Sequence, residues 1–394
     1  MFRLGIINKN NSYDEKISYA IFAQFAILTF QYLILYFFNI DETTIGNIIK
    51  LVSKFLVAIS MAKAFPIVIK RKLKLIVITY CALSSLFMVH YILFPQNRGY
   101  ILNIVFSFFC ICLPCFLYTY SIIDFKDFFN VLEKVSFFIL CIGFLIFILV
   151  IFKIINIGTY SMSLSYNLLF PCLFYLYKYL DNFKVKYIIM ILLSIVPILV
   201  LGARGPILCI GCYVIIFLIN EICKKNPVKK EFLYFFSIIF ILLSLIFFDE
   251  ILTIINNILN YFGIYSRTIS LFLENNLYLS GREIFYNKTF ELLQLYPIIG
   301  VGIAGDRFHM NGSYVHNLFL ELLLNFGIVL GTLIIIMLIV FFIKKIFFIK
   351  GQQRKLFNVF FCMGVIPLMI SGSYLTSPLF WIYLALCLRT KGID

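Results

Sequence analysis

Residues 313–331 read SYVHNLFLELLLNFGIVLG, and the reading of this stretch decides the fold. From Leu318 onward apolar side chains follow one another without the alternation of a β-strand, and they continue through IIIMLIVFFI to residue 343. At ~1.5 Å per residue such a run is long enough to cross a hydrocarbon layer of ~30 Å. Lipid offers no partner to a backbone amide, so a crossing segment must satisfy its own hydrogen bonds, as a helix does. Yet the run opens on His316 and Asn317 and carries Glu321 a little further in. The chain has three histidines in all, so the one at a helix mouth needs explaining.

The same pattern repeats along the chain. Of its 394 residues, 63% are hydrophobic and 13% charged, and the mean hydropathy of +1.03 lies outside the range of soluble domains. Twelve predominantly apolar runs lie near 17–38, 47–66, 73–93, 100–119, 132–152, 164–180, 187–201, 206–222, 232–248, 316–343, 356–371 and 375–390. The expected fold is an all-α polytopic membrane protein of about 12 transmembrane helices. Residues 1–394 form a single integral membrane domain in this reading, with one long outer loop, 249–315, containing short helices.

A net charge of +15 invites a nucleic-acid reading, but the placement of the charges accounts for it. Arg3, Lys9 and Lys16 precede the first span; Lys70, Arg71, Lys72 and Lys74 separate the second and third; Lys224, Lys225, Lys229 and Lys230 separate the eighth and ninth. Lys344, Lys345, Lys350, Arg354 and Lys355 follow the tenth, while the opposite loops near 39–46, 154–163 and 372–374 carry neither Lys nor Arg. The positive-inside rule then puts both termini in the cytoplasm, and no nucleic-acid partner is expected. The first span, flanked by Lys16, is expected to act as an uncleaved anchor. Nearly all of the eleven cysteines fall inside spans and none falls in 249–315, so neither a disulfide framework nor a zinc site is implied. CIGC at 209–212 sits in an apolar helix, where packing explains it better than redox chemistry.

The chemistry is expected on the outer side. The segment from Asp249 to Val315 is too long for a plain connection, and it holds amphipathic stretches such as ILTIINNILNYF (251–262). A second helix is expected from about 281 to 296, with Ser280 and Glu283 at capping-box spacing and Pro297 as the stop. Arg282 then sits in the first turn, where a cation opposes the helix dipole unless an anion binds there. Arg204 stands in the short outer turn of LGARGP (201–206), either reaching lipid headgroups or gripping phosphate with its planar fork. His316 can accept a proton near neutrality, and Asn317 can orient the ring or bind a sugar hydroxyl. Glu321 lies about 140° around the helix from His316 and is a secondary candidate. Lys50 and Lys54, one turn apart near the outer end of the second span, would add positive potential if they face the bundle. GVGIAG (300–305) has dinucleotide-loop spacing but lacks the strand and helix that give it meaning, so its glycines are read as tight turns.

LGARGP, then GREIFYNKTFELLQLYPIIGVG (281–302), then HNLFLELLLNFGIVLG (316–331) together resemble the O-antigen polymerase and O-antigen ligase superfamily. SGSYLTSPLFWIYLALCL (371–388) looks like the ending common among the polymerases. The resemblance implies a metal-independent glycosyltransferase without cofactor, at the outer face of the bacterial inner membrane. The implied donor is a glycan on undecaprenyl diphosphate. Arg204 and Arg282 would hold the diphosphate, His316 would activate or orient the acceptor hydroxyl, and a chain-length regulator and a flippase would be partners. A polymerase of lipid-linked repeat units is the leading expectation and a ligase to lipid A-core the second. A transporter is disfavoured because the informative charges cluster at the outer level rather than at mid-membrane.

Overall fold

The computed structural model describes residues 2–155, 161–201, 204–222, 248–261, 263, 265–273, 281–348 and 351–389. The described residues are helical throughout and contain no strand: α1 (Phe2–Phe37), α2 (Thr44–Leu93), α3 (Arg98–Ser107), α4 (Leu113–Ser121), α5 (Phe125–Ile151), α6 (Met162–Asn182), α7 (Val185–Leu201) and α8 (Arg204–Ile222). Then come α9 (Phe248–Tyr261), α10 (Arg267–Leu273), α11 (Arg282–Leu295), α12 (Gly305–His309), α13 (Leu318–Phe348), α14 (Gly351–Gly364), α15 (Ile366–Ile370) and α16 (Pro378–Leu388).

Among the described residues, five stretches are long and apolar enough to cross a membrane: Tyr13–Phe37, Thr44–Leu93, Pro95–Ser121, Phe125–Ile151 and Leu318–Ile346. At 50 residues α2 would be ~75 Å long, more than twice a hydrocarbon layer. Its regularity fails at Lys72 (φ −142°, ψ 32°), in the middle of the basic cluster, so the helix carries both of the runs expected at 47–66 and 73–93. Pro95–Ser121 is continuous through a π-helical turn at Phe108–Cys112. Shorter apolar helices cover Val185–Val200, Arg204–Asn220 and Pro378–Leu388. The run expected at 232–248 lies almost wholly outside the described residues.

The C-terminal run at 356–371 is not one helix. Helix α14 stops at Gly364 and α15 keeps only five residues before Ser371, with Pro367 withholding an amide and Gly372 at φ +89°. The non-helical 371–376 backbone finds protein partners. Ser371 N–H donates to Pro367 O (2.6 Å), Gly372 N–H to the Tyr314 hydroxyl (3.2 Å) and Leu375 N–H to Ser373 Oγ (3.3 Å).

The chain divides into two compact units. The first comprises residues 1–24, 52–135 and 279–394. In it α16 lies along α4, with Trp381 edge-on to Phe108 (5.2 Å) and Phe116 (6.1 Å). The buried Asp14 carboxylate is matched by Arg71 and by the N–H groups of Ile123 (3.2 Å) and Asp124 (3.0 Å). The second comprises 25–51 and 136–278, where α6 packs on α7 and α8. Ser161 caps α6 by accepting from Leu164 N–H, and its hydroxyl meets that of Tyr36 at 3.0 Å. Ser266, ahead of α10, donates to Leu199 O of α7 at 3.0 Å. The segment read as one outer loop is thus shared: 249–278 folds with the second unit and 279–315 with the first.

One break in the first unit positions everything around the helix mouth. Inside α13, Gly327 takes φ +77°, ψ 174°, a region open essentially to glycine alone. The Ile328 N–H therefore turns from Leu324 and donates to Pro297 O (2.7 Å), while Leu324 O accepts from Val301 N–H (2.7 Å). Residues 297–301 are spliced into the helix ladder, and both orphaned groups are satisfied. A Cβ at Gly327 would fall 2.1 Å from Ile298 O. Gly327→Ala is accordingly expected to cost at least about 1–3 kcal/mol through backbone strain alone. The check is a lowered melting temperature in detergent; an unchanged one would contradict the spliced geometry.

Candidate functional site

The site begins at the N-terminus of α11. Its cap is Gly281, left-handed at φ +78° with no side-chain cap bond, so the capping box expected from Ser280 and Glu283 is not what starts the helix; Ser280 itself lies outside the described residues. Arg282 is thus the first helical residue. One turn on, Phe285 points the same way and packs against the His316 ring (5.9 Å between centroids). Further along, Leu292 and Leu293 join Val301, Met310, Val315 and Leu324 in a buried cluster that holds α11 against α13.

His316 does not open the helix, as the sequence suggested. It lies before it, in a left-handed conformation (φ +59°) that is uncommon for any residue but glycine. Asn317 is the residue that starts α13, its Oδ1 accepting from Phe319 N–H (3.0 Å) and Leu320 N–H (3.2 Å). The amide oxygen expected to orient His316 or meet a sugar is therefore spent on the cap. The imidazole rests on the Tyr314 ring at 4.2 Å, and among the described residues its buried Nδ1 has no partner. Burial first, and the Arg282 guanidinium second, hold His316 below its ordinary value near 6.5. It is neutral at physiological pH and able to take a proton.

Glu321, a candidate for substrate binding, is otherwise engaged. It is 1% exposed and accepts from Arg307 (3.4 Å) and from the Ser373 hydroxyl (2.5 Å). Arg307 also donates to Asp306 Oδ1 (2.7 Å) and to Ser373 Oγ (2.9 Å), and its guanidinium lies over the Tyr314 ring (5.6 Å). Burial pushes the Asp306 carboxyl above the usual carboxylate range against the pull of Arg307. Sequence reasoning passed over Arg307 and Asp306. Adjacent opposite charges in GDRF, in a chain this poor in charge, were the available signal. With both carboxylates held by Arg307, no acid among the described residues orients the imidazole. Aromatic packing does so instead.

The glycines of GVGIAG form tight turns, as expected, and the turns are closely packed. Gly300 and Gly302 take φ +72° and +81°, and a Cβ on Gly302 would lie 2.4 Å from the Phe94 ring. Asn97 donates to Val301 O (2.8 Å) and Ile303 O (3.3 Å), and Ile303 N–H donates to His90 Nδ1 (3.0 Å).

Arg204 belongs to the second unit, where it is the first residue of α8 and half-buried. A Cβ on its neighbour Gly205 would sit 2.1 Å from the Tyr166 hydroxyl oxygen, so the turn is closely packed. Both arginines therefore open helices, where amide N–H groups and guanidinium together favour an anion. Lys50 is bound to Asp41, by an ion pair (2.6 Å) and through its backbone oxygen (2.7 Å), and Lys54 is exposed. Cys209 is buried and Cys212 half-buried, both as free thiols within α8. Among the described residues no cluster of potential metal ligands occurs.

The family model for O-antigen ligase matches residues 188–335, the stretch that holds Arg204, Arg282, His316 and the Gly327 break. That match places this stretch of the chain in the O-antigen polymerase and ligase superfamily. No curated protein and no solved structure matches it. Members of this superfamily are glycan-transferring enzymes bound to bacterial membranes, and the apolar helices of this chain fit that setting. The matched region sets the Arg282 guanidinium and a neutral His316 imidazole near one another at the start of α11.

Proposed function

We propose that the chain is a polysaccharide polymerase joining undecaprenyl-diphosphate-linked repeat units, as in O-antigen or capsule synthesis. It works at the outer face of the inner membrane as a single membrane domain, with both termini cytoplasmic and 249–315 facing outward. The pairing of Arg282 with His316 carries this reading: a guanidinium at a helix N-terminus beside a histidine kept neutral. The acceptor sugar hydroxyl attacks the anomeric carbon of the donor chain, its proton passes to His316, and the bond to the diphosphate breaks. Arg282 stabilises the charge growing on the departing diphosphate, the larger electrostatic contribution, while base assistance supplies about 10²–10⁴-fold. The amide nitrogen of Asn317 is left to meet a sugar hydroxyl.

A base must be neutral to act, so the rate falls as pH drops through the His316 pKa. Because that pKa lies below 6.5, kcat/KM is expected to hold through neutral pH and to decline only in more acidic buffer. A bound diphosphate raises the pKa by its negative charge, so the acid limb of kcat should lie at higher pH than that of kcat/KM. An acid limb that is the same in His316→Ala as in the parent would return His316 to a structural role.

The ligase reading keeps a specific support, the description of the family model that matches. Deleting the gene in a producing cell separates the two. Loss of a polymerase leaves single repeat units on lipid A-core; loss of a ligase strips the core bare and accumulates lipid-linked chains.

A further inference from the structure

The turn that ends α11 is apolar and uncovered. Leu295 is 69% exposed, Ile298 75% and Ile299 61%, with Tyr296 half-exposed beside them. Four large apolar side chains within five residues on a water-facing turn would be a costly and unusual surface.

Their location explains them. The turn is bonded to α13 at the Gly327 break, through Pro297 O and Ile328 N–H. That break is also where α13 changes surroundings. From Leu318 to Gly327 the helix is mostly covered by protein, whereas from Ile328 (44% exposed) and Val329 (65%) onward it shows an exposed apolar face as far as Ile343, ahead of Lys344 and Lys345. A face of that kind on a crossing helix meets acyl chains, and the turn continues it without interruption.

We propose that the Tyr296–Ile299 turn is a membrane-contacting tip on α11, with its side chains in the acyl layer and its backbone at the headgroup boundary. Only backbone groups that have protein partners can leave water and headgroups behind. Tyr296 N–H donates to Leu292 O (2.8 Å), Gly300 N–H donates to Tyr296 O (3.1 Å), and Pro297 has no N–H while its oxygen is taken by Ile328; the N–H groups of Ile298 and Ile299 make no bond to described backbone, which keeps the turn's main chain at the boundary. Tyr296 places an amphipathic ring at the boundary, the position such rings favour. Arg282 stands at the opposite end of the same rigid helix, so the seated tip fixes its height relative to the lipid. The inference rests on the crossing of α13 and not on the transfer reaction, and either can fail alone.

The test is fluorescence quenching of full-length protein in phosphatidylethanolamine and phosphatidylglycerol vesicles whose acyl chains carry bromine. The chain has a single tryptophan, Trp381, whose signal in the parent is subtracted. Ile298→Trp should lose most of its intensity to bromolipid, resist iodide, and report a depth of about 5–10 Å below the headgroup boundary. Ile299→Trp is an independent reporter with the same expected result. Asn287→Trp, at an exposed polar position on α11, should be quenched by iodide and spared by bromolipid. Iodide quenching of both tip reporters would put the turn in water and overturn the proposal. Resistance to both quenchers would show it covered by protein, a second copy included, and would overturn it equally.

Discussion

Arg307→Ala is expected to destabilise the first unit by about 3–5 kcal/mol, because it leaves the buried carboxylates Asp306 and Glu321 without their shared cation. Arg307 is buried, its side chain 8% exposed, and the carboxylates are more so, so water cannot replace the lost partner. The same guanidinium covers the Tyr314 ring on which His316 rests, so the variant should also lose activity. Glu321→Gln should be milder, since the amide oxygen can still accept from Arg307 and Ser373 while one buried charge is removed. Thermal unfolding in detergent checks both. A melting temperature unchanged in Arg307→Ala would mean that the cluster is not the support described here.

Arg282→Ala is expected to lower kcat by about 10²–10³-fold with little change in melting temperature. Arg282 is half-buried at the first position of α11, where a cation works against the helix dipole, so removing it relieves rather than harms the helix. Arg282→Lys should recover part of the rate, because the charge remains while the planar fork is lost. Loss of the cation should also move the His316 acid limb upward in pH, since Arg282 helps to depress it. A variant that keeps its full rate would remove Arg282 from the site, and a limb that stays in place would separate it from His316.

Much of this was legible in the sequence, for physical reasons that differ between regions. Long apolar runs report membrane helices almost without context, so α1, α5 and α13 fall close to their expected positions, and α2 breaks within the basic cluster that separated two expected runs. The run at 356–371 misled, because hydropathy cannot register the stop at Gly364, where Leu379 O approaches within 2.6 Å of a Cβ position, whereas the run at 375–390 is the helix Pro378–Leu388. The first-turn position of Arg282 was readable from the helix bounded by Ser280, Glu283 and Pro297, although the cap proved to be Gly281. His316 was found, but its left-handed backbone was not, since Asn317 caps the helix one residue later than hydropathy places the mouth. Glu321 was misassigned because its partners, Arg307 and Ser373, lie 14 and 52 residues away, and nothing local announces a contact of that kind.

The most direct measurement of the central claim uses purified protein in vesicles, given lipid-linked repeat units and no other acceptor. The account predicts a ladder of chain lengths growing on the lipid diphosphate, lost in Arg282→Ala and slowed in His316→Ala. No ladder from repeat units, together with transfer of a preformed chain to lipid A-core, would contradict it.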